Sequence, residues 1–210
     1  KSFRLKKIKS KLINVNTKDC RFVLNKIKNN YFKIECNIKN LSFAYKIVKR
    51  FKVKDSIIIS ALNRFKGLNH RQKIIFSNKK ITCIDDSKAT SFDASFQSLK
   101  SFKKIYWIVG GLPKLGDRFY FKNILKKIVK AYIIGKHTPF FVNQIKKKIP
   151  YKISKNLQSA VKDIYFDINK NNFSKNSILL SPAAASFDQF INFEDRGNKF
   201  KTLILKKFNA

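Results

Sequence analysis

Apolar residues in the first third of the chain recur at helical spacing. The stretch NIKNLSFAYKIVKRF predicts a helix because its apolar residues share one face. These residues are Ile38, Leu41, Tyr45 and Val48. A second helix is predicted in SIIISALNRF, with Asp55 before it as the N-cap. Basic and apolar residues alternate upstream, in FRLKKIKSKLINV and NNYFKIE, and this alternation predicts strands or a hairpin.

The pattern changes after the block KGLNHR. KIIFSNKKITCID predicts two strands joined by a tight turn at Asn78. A helix is predicted in ATSFDASFQSLKSF, and the apolar runs KIYWIVGG, AYIIG and SILLSP then read as strands. They alternate with predicted helices in FKNILKKIVK, in NLQSAVKDI and near SFDQF. This alternation predicts an α/β fold, a mainly parallel sheet with helices on both faces.

Four predicted strands are followed by small or polar residues. ITCID leads into DSKAT, IYWIV into GGLPK, AYIIG into GKHTP, and SILLS into SPAAAS. Ligands bind beyond the carboxyl ends of the strands in open parallel sheets, so these segments should converge on one edge. The convergence would bring together Asp86, Lys88, Thr90, Lys114 and Ser186. Such a crevice of cations and hydroxyls suits a small acidic ligand.

The chain is very basic, with 47 Lys and Arg against 12 Asp and Glu and a net charge of +35. A protein that binds nucleic acid or anionic membranes could carry such a charge. Lys is spread along the whole chain beside Asn and Ile, however, and only seven of the cations are Arg. We interpret the charge as a compositional bias. The apolar fraction of 44% excludes a disordered tail.

Other bulk features bound the class of protein. The 210 residues suffice for one sizeable core or two modest ones. No apolar run approaches the roughly 18 residues of a membrane span. Three widely spaced cysteines predict no disulfide framework and favour a reducing cytoplasm. The chain begins with Lys1 and contains no Met, so we expect it to be a piece of a longer protein.

One stretch near the C-terminus contains no lysine. It runs from Ser181 to Gly197, SPAAASFDQFINFEDRG, and is first small, then aromatic, then acidic. Three consecutive alanines permit a close turn after the preceding strand. We interpret the stretch as the wall of a substrate pocket, where a long cation would obstruct the pocket or the packing beneath it.

Five blocks occur in order along the chain: NIKNLSFA, GLNHR, IDDSKATS, GGLPK and LLSPAAASFDQFINFEDRGNKF. Together, from about Asn37 to the C-terminus, they resemble the bacterial Mur ligases. The final block most resembles the members that add D-glutamate to UDP-N-acetylmuramoyl-L-alanine. The resemblance implies that residues 1–66 end a central ATP-binding α/β domain. It implies that residues 67–210 form the C-terminal, Rossmann-like domain that binds the amino acid.

The same resemblance implies an ATP-dependent amide ligase of cytoplasmic peptidoglycan synthesis. Its substrates would be ATP with Mg²⁺, UDP-N-acetylmuramoyl-L-alanine and D-glutamate, and the reaction would pass through an acyl phosphate. We expect a monomer with no membrane or nucleic-acid partner. The phosphate-binding motif G-x-x-x-x-G-K-[ST] does not occur in these 210 residues. The phosphate loop and most metal ligands are therefore expected outside them, and this chain alone should be inactive.

Roles follow from the resemblance residue by residue. The residues implied to bind the nucleotide are Asn40, Arg71 and Asp86. The residues implied to act in catalysis are Lys88 and His70. The residues implied to bind D-glutamate are Thr90, Lys114, Ser186, Phe187 and Phe193. No metal ligand is implied within the chain.

The chain departs from the family pattern at three positions. Cys36 stands where histidine is usual, Asn69 where proline is common, and Lys73 where glutamate is common. The last change reverses the charge beside the nucleotide site. Two alternatives stay open, namely a sister amide ligase such as a folylpolyglutamate synthase, and a basic nucleic-acid-binding module. The first would need a different final block, and the second is favoured only by charge.

Overall fold

The protein was analysed as a computed structural model that describes residues 13–171 and 175–208, without the side chain of Cys36. Contacts between Cα atoms divide the chain into two compact units. Unit 1 ends at Lys66 and unit 2 begins at Gly67. This division falls within the block KGLNHR, after which the sequence pattern changes.

Unit 1 is helical through most of its described length. Its α-helices are α1 (Arg21–Lys26), α2 (Glu35–Arg50) and α3 (Asp55–Arg64), with 3-10 turns at Thr17–Cys20 and Asn30–Lys33. They enclose a small core that includes Cys20, Val23, Phe32, Leu41 and Ile58. The two helices predicted from apolar spacing, now α2 and α3, are confirmed.

The strand predicted in NNYFKIE is wrong, because the segment forms a 3-10 turn. The side chain of Asn29 caps this turn by accepting a hydrogen bond from the Tyr31 N–H at 3.0 Å. The amide group of Asn29 also donates to the carbonyl oxygens of Leu62 and Phe65. These contacts favour a turn over an extended strand. The predicted strand in FRLKKIKSKLINV lies mostly outside the described residues.

The proposed N-cap of α3 is also wrong. Lys54 is the N-cap, and no side chain caps this helix end. Asp55 is the first helical residue, and its carboxylate accepts hydrogen bonds from the Tyr45 hydroxyl at 3.1 Å and the Lys49 ammonium at 3.0 Å. The carboxylate thus joins α3 to α2. Its negative charge also interacts favourably with the positive, N-terminal end of the α3 dipole.

Unit 2 is built on one six-stranded sheet. The strands are β1 (Lys73–Ser77), β2 (Ile81–Asp85), β3 (Ile105–Gly110), β4 (Ile128–Ile134), β5 (Tyr151–Lys155) and β6 (Asn176–Leu180). Their order is β1-β2-β6-β3-β4-β5. Only β1 is antiparallel to its neighbour; the other four pairings are parallel. The predicted mainly parallel α/β fold is therefore confirmed.

Helices cover both faces of this sheet. They are α4 (Phe92–Ser101), α5 (Thr138–Ile145), α6 (Leu157–Lys170) and α7 (Phe193–Phe208), with a 3-10 turn at Lys122–Lys127. Adjacent residues of β3 point to opposite faces. Trp107 packs in the core under α4 and α5, whereas Tyr106 packs in the core under α6 and α7. Both side chains are fully buried, as a strand covered on both faces requires.

The elements of unit 2 differ from the predictions in detail. The helix predicted in FKNILKKIVK is only a 3-10 turn, because β4 already begins at Ile128. The last helix begins at Phe193 rather than near SFDQF, since Asn192 caps it by accepting from the Asp195 N–H at 2.7 Å. Helix α5 and the edge strand β5 were not predicted. Strand β5 is mostly exposed, and its sequence lacks the continuous apolar run that revealed the inner strands.

Candidate functional site

The loops after β2, β3, β4 and β6 meet at one edge of the sheet. The Gly110 N–H donates to the Pro182 carbonyl at 2.9 Å. Leu112 and Ala185 exchange two backbone hydrogen bonds, each 2.9 Å, which lays GGLPK beside SPAAAS. The loop after β4 joins them, because the Lys136 N–H donates to the Asp188 carboxylate at 2.9 Å. The loops therefore converge as expected, whereas the shared crevice of Asp86, Lys88, Thr90, Lys114 and Ser186 stays a prediction.

Small residues make this close contact possible. A β-carbon on Gly111 would lie 2.4 Å from the Ala185 carbonyl oxygen and 3.1 Å from the Ala184 β-carbon. Gly111 also has a φ of +135°, which side chains rarely adopt. Ala183 begins the facing turn with a φ of 55°. A larger residue at Gly111 would force the two loops apart.

His70 and Asp85 form a buried pair behind these loops. The His70 Nδ1 lies 2.7 Å from the Asp85 Oδ2, and both side chains are almost inaccessible. The backbone carbonyl of His70 accepts a hydrogen bond from the Lys88 N–H at 3.0 Å. The pair therefore holds the start of the DSKAT loop against the segment before β1.

Lys88 and Phe193 are also in contact. The Lys88 ammonium lies 3.6 Å from the centroid of the Phe193 ring, which is the geometry of a cation–π interaction. The His70 ring approaches the same phenyl group in an edge-to-face arrangement with centroids 6.0 Å apart. The structure thus brings together three of the residues singled out from the sequence.

Asp86 is buried and fully engaged by donors within unit 2. Its carboxylate accepts from the Ser98 hydroxyl at 2.6 Å, the Ser181 hydroxyl at 2.8 Å and the Gln72 N–H at 3.2 Å. Burial raises the pKa of Asp86 to about 6, although the hydrogen bonds oppose this shift. In this structure Asp86 ties β2, α4 and β6 together, and its nucleotide role stays a prediction.

Asp86→Asn should change how stability depends on pH. The raised pKa means that the folded state keeps a proton that the unfolded state has lost, between 3.8 and about 6. The free energy of unfolding of the wild-type protein, relative to the variant, should fall as pH rises through this window and stay flat above it. The fall should reach about 3 kcal/mol, since one pKa unit corresponds to about 1.4 kcal/mol.

Urea denaturation followed by the fluorescence of Trp107 measures this difference, because that residue is the single tryptophan and lies in the core of unit 2. Asp93→Asn is a suitable control, since Asp93 is an exposed carboxylate on α4. Parallel pH profiles for the wild type and Asp86→Asn would contradict the expectation.

Most of the remaining predicted residues are exposed, and one is buried. In unit 2, Arg71, Thr90 and Lys114 are exposed, and the side chain of Phe187 is 70% exposed. Ser186 is instead buried, and its carbonyl oxygen accepts hydrogen bonds from the backbone of the next turn. Asn40 is exposed on α2 of unit 1.

Sequence reasoning missed Arg196, on the first turn of α7. This side chain is fully buried, and burial lowers its pKa to about 10. Its guanidinium donates to the Ser87 hydroxyl and carbonyl and to the Ala184 carbonyl. One signal could have found it: the lysine-free stretch contains one arginine, in a chain that otherwise uses lysine for nearly all of its cations.

The described residues contain neither a cluster of metal-ligating side chains nor a membrane-spanning helix. In residues 13–171 and 175–208, no group of three or more His, Cys, Asp and Glu side chains could hold a metal ion. In the same part of the chain, no helix is both long and apolar enough to cross a bilayer.

Several curated proteins are similar in sequence to this chain. A UDP-N-acetylmuramoylalanine–D-glutamate ligase from Agrobacterium fabrum is 39% identical over 164 residues, which is 78% of this chain and 35% of that protein. The enzyme of the same name from Mesorhizobium japonicum is 43% identical over 144 residues, 69% of this chain and 31% of that protein. This chain therefore spans about a third of the length of the curated relatives it matches.

Solved structures share the fold. MurF from Acinetobacter baumannii superimposes with a TM-score of 0.58 at 14% identity, covering 84% of this chain and 38% of that one. The UDP-N-acetylmuramate–alanine ligase MurC from Thermotoga maritima gives a TM-score of 0.55 at 16% identity, covering 82% and 38%. No protein-family model matches the chain.

Proposed function

This chain belongs to the Mur ligase family, and from that membership we propose that it is part of an ATP-dependent ligase that joins D-glutamate to UDP-N-acetylmuramoyl-L-alanine. The matched relatives carry the name of that enzyme. Unit 1 would be the end of a central ATP-binding domain, and unit 2 the C-terminal domain that binds D-glutamate.

The observation that carries the proposal is the contact between GGLPK and SPAAAS at the sheet edge. The two hydrogen bonds between Leu112 and Ala185 hold these loops side by side. Lys114 ends the first loop and is exposed, while Ser186 ends the second and is buried. A dianionic amino acid needs a cation and neutral donors for its two carboxylates. The Lys114 ammonium and the hydroxyls of Ser186 and Thr90 would supply these groups.

D-Glutamate must keep its amine free, because the amine is the nucleophile. ATP would convert the L-alanyl carboxylate into an acyl phosphate, and amine attack on its carbonyl carbon would give the amide, with ADP and phosphate released. Lys88 would stand at the junction of nucleotide and amino acid, where the face of Phe193 and the carbonyl of His70 position it. Exposed Arg71 and Asn40 would contact the nucleotide.

Mg²⁺ would neutralise the phosphate charge when bound. Most of its ligands would come from parts of the ligase outside this chain. The free, buried cysteines Cys20 and Cys83 fit a reducing compartment and support a cytoplasmic location.

Phosphate release tests the proposal. The complete ligase containing this chain should release phosphate only when ATP, UDP-N-acetylmuramoyl-L-alanine and D-glutamate are all present, and L-glutamate should not replace D-glutamate. The 210-residue chain alone should release none, because it lacks the glycine-rich phosphate motif. The function is refuted if the complete protein shows no release dependent on D-glutamate. Phosphate release by the isolated 210-residue chain would show that activity does not require the glycine-rich phosphate motif.

A further inference from the structure

The buried Arg196 joins two loops of the candidate site. Its Nε donates to the Ser87 hydroxyl at 2.9 Å, and its Nη2 donates to the Ser87 carbonyl at 2.8 Å. The same Nη2 donates to the Ala184 carbonyl at 3.0 Å. Ser87 directly precedes Lys88, and Ala184 lies two residues before Ser186. One guanidinium therefore links the loop after β2 to the loop after β6.

The third nitrogen of this guanidinium faces the loop after β3. A β-carbon on Gly111 would lie 3.3 Å from the Arg196 Nη1. This Nη1 is fully buried and has no hydrogen-bond partner among the described residues. A buried, unpaired donor is unfavourable. The guanidinium therefore lies where it can bridge the two loops, even though this placement leaves its Nη1 unpaired.

The charge of Arg196 is not neutralised by direct contact. Within the described part of the chain its guanidinium forms no ion pair, and its three hydrogen bonds go to a hydroxyl and two carbonyls. The carboxylates of Asp85 and Asp188 act on it only from a distance and favour its charged form. Burial of such a cation is costly. A planar fork of donors that reaches two loops at once is what arginine offers and lysine does not.

We propose that Arg196 is a positioning residue that couples two loops. The first is the loop after β2, which contains Ser87 and would bind the nucleotide, and the second is the loop after β6, which contains Ala184 and would bind the amino acid. Any shift of Ser87 when nucleotide occupies the first loop would move the guanidinium, and through it Ala184 and the wall that follows. Nucleotide binding would thereby prepare the site for the amino acid, although Arg196 touches neither ligand. The identity of these ligands rests on the proposed function, whereas the link between the loops rests on the hydrogen bonds alone.

Arg196→Lys tests the coupling, because it keeps the charge but cannot bridge two acceptors with a planar fork. The matched control is Arg118→Lys, at an exposed arginine of the same unit. Ser87→Ala is a milder second variant that removes one acceptor and keeps the arginine. Far-UV circular dichroism checks that each complete ligase is folded.

The first measurement is the affinity for D-glutamate with and without adenylyl imidodiphosphate, a non-hydrolysable ATP analogue. In the wild type and in Arg118→Lys, the analogue should tighten D-glutamate binding at least about fivefold, a typical coupling between two sites. In Arg196→Lys the ratio should fall below about twofold, and Ser87→Ala should lie between. An unchanged ratio in Arg196→Lys, or no coupling in the wild type, would overturn the proposal.

The second measurement is amide hydrogen exchange, which separates this proposal from the proposed function. Without any ligand, Arg196→Lys should speed exchange at both Lys88 and Ala185 by about tenfold or more, while Arg118→Lys should not. Unchanged exchange at both amides would overturn the link between the loops. Faster exchange in a protein that never binds D-glutamate would keep the link and refute the assigned ligand.

Discussion

Lys114→Ala is expected to lower kcat/KM for D-glutamate by roughly 10²-fold in the complete ligase. The variant loses one charge-assisted contact to a carboxylate, worth up to about 3 kcal/mol. The position supports this role, because Lys114 follows the Gly110–Gly111 turn that packs against Ala185, and its side chain is exposed. The KM for ATP should hardly change, since the lysine is assigned to the amino acid. Steady-state kinetics with each substrate varied in turn measures both effects.

Lys103→Ala is the matched control. Lys103 is an exposed lysine on the segment before β3, at the opposite end of that strand from the site. Its loss should change stability by no more than about 0.5 kcal/mol and leave D-glutamate kinetics intact. Equal losses in the two variants would mean that Lys114 acts only through the general positive charge, and the pocket assignment would be rejected.

Gly197→Ala should destabilise unit 2 strongly, although alanine is the better helix former. A β-carbon on Gly197 would lie 2.1 Å from the His70 Nδ1 and 2.8 Å from the Asp85 Oδ2. The His70–Asp85 pair is buried, so the ring has little room to move. Overpacking costs about 1–3 kcal/mol, and a broken buried pair adds to this. We expect a net loss of about 3 kcal/mol, after a helix-propensity gain of about 1 kcal/mol.

Urea denaturation followed by Trp107 fluorescence measures the loss. Asn198→Ala is the control, because Asn198 is the next residue of α7 and is exposed. It gains helix propensity without a clash and should change the free energy of unfolding by less than about 0.5 kcal/mol. If Gly197→Ala proves as stable as this control, the close approach of α7 to His70 is not a tight constraint.

Local patterns predicted most of the fold. Helix α2 followed from the spacing of its apolar residues, and the hairpin of β1 and β2 from a turn at Asn78. The side chain of Asn78 does cap that turn, accepting from the N–H groups of Lys80 and Ile81. Signals of this kind are local, because a helix face or a tight turn is specified by residues close in sequence.

Elements at the edge of the sheet escaped prediction for a related reason. Strand β5 is largely exposed, so its residues carry no continuous apolar run. Its place is set by pairing with β4, for example between Ile133 and Ile153, which lie far apart in sequence. In the same way, the local sequence predicts Asp55 as an N-cap. In the structure its carboxylate instead accepts hydrogen bonds from Tyr45 and Lys49 on α2.

The candidate site likewise has features that the local sequence predicted and features that only tertiary contacts set. By itself the sequence determined that polar segments follow the inner strands, and that these segments meet at one edge, because parallel strands share a direction. Only the tertiary structure decided which side chains touch there. The stacking of Lys88 on Phe193 and the link from Arg196 to Ser87 each join residues more than a hundred positions apart. Such contacts depend on the strand order and on the angle at which α7 returns to the sheet, and no local pattern encodes either of these.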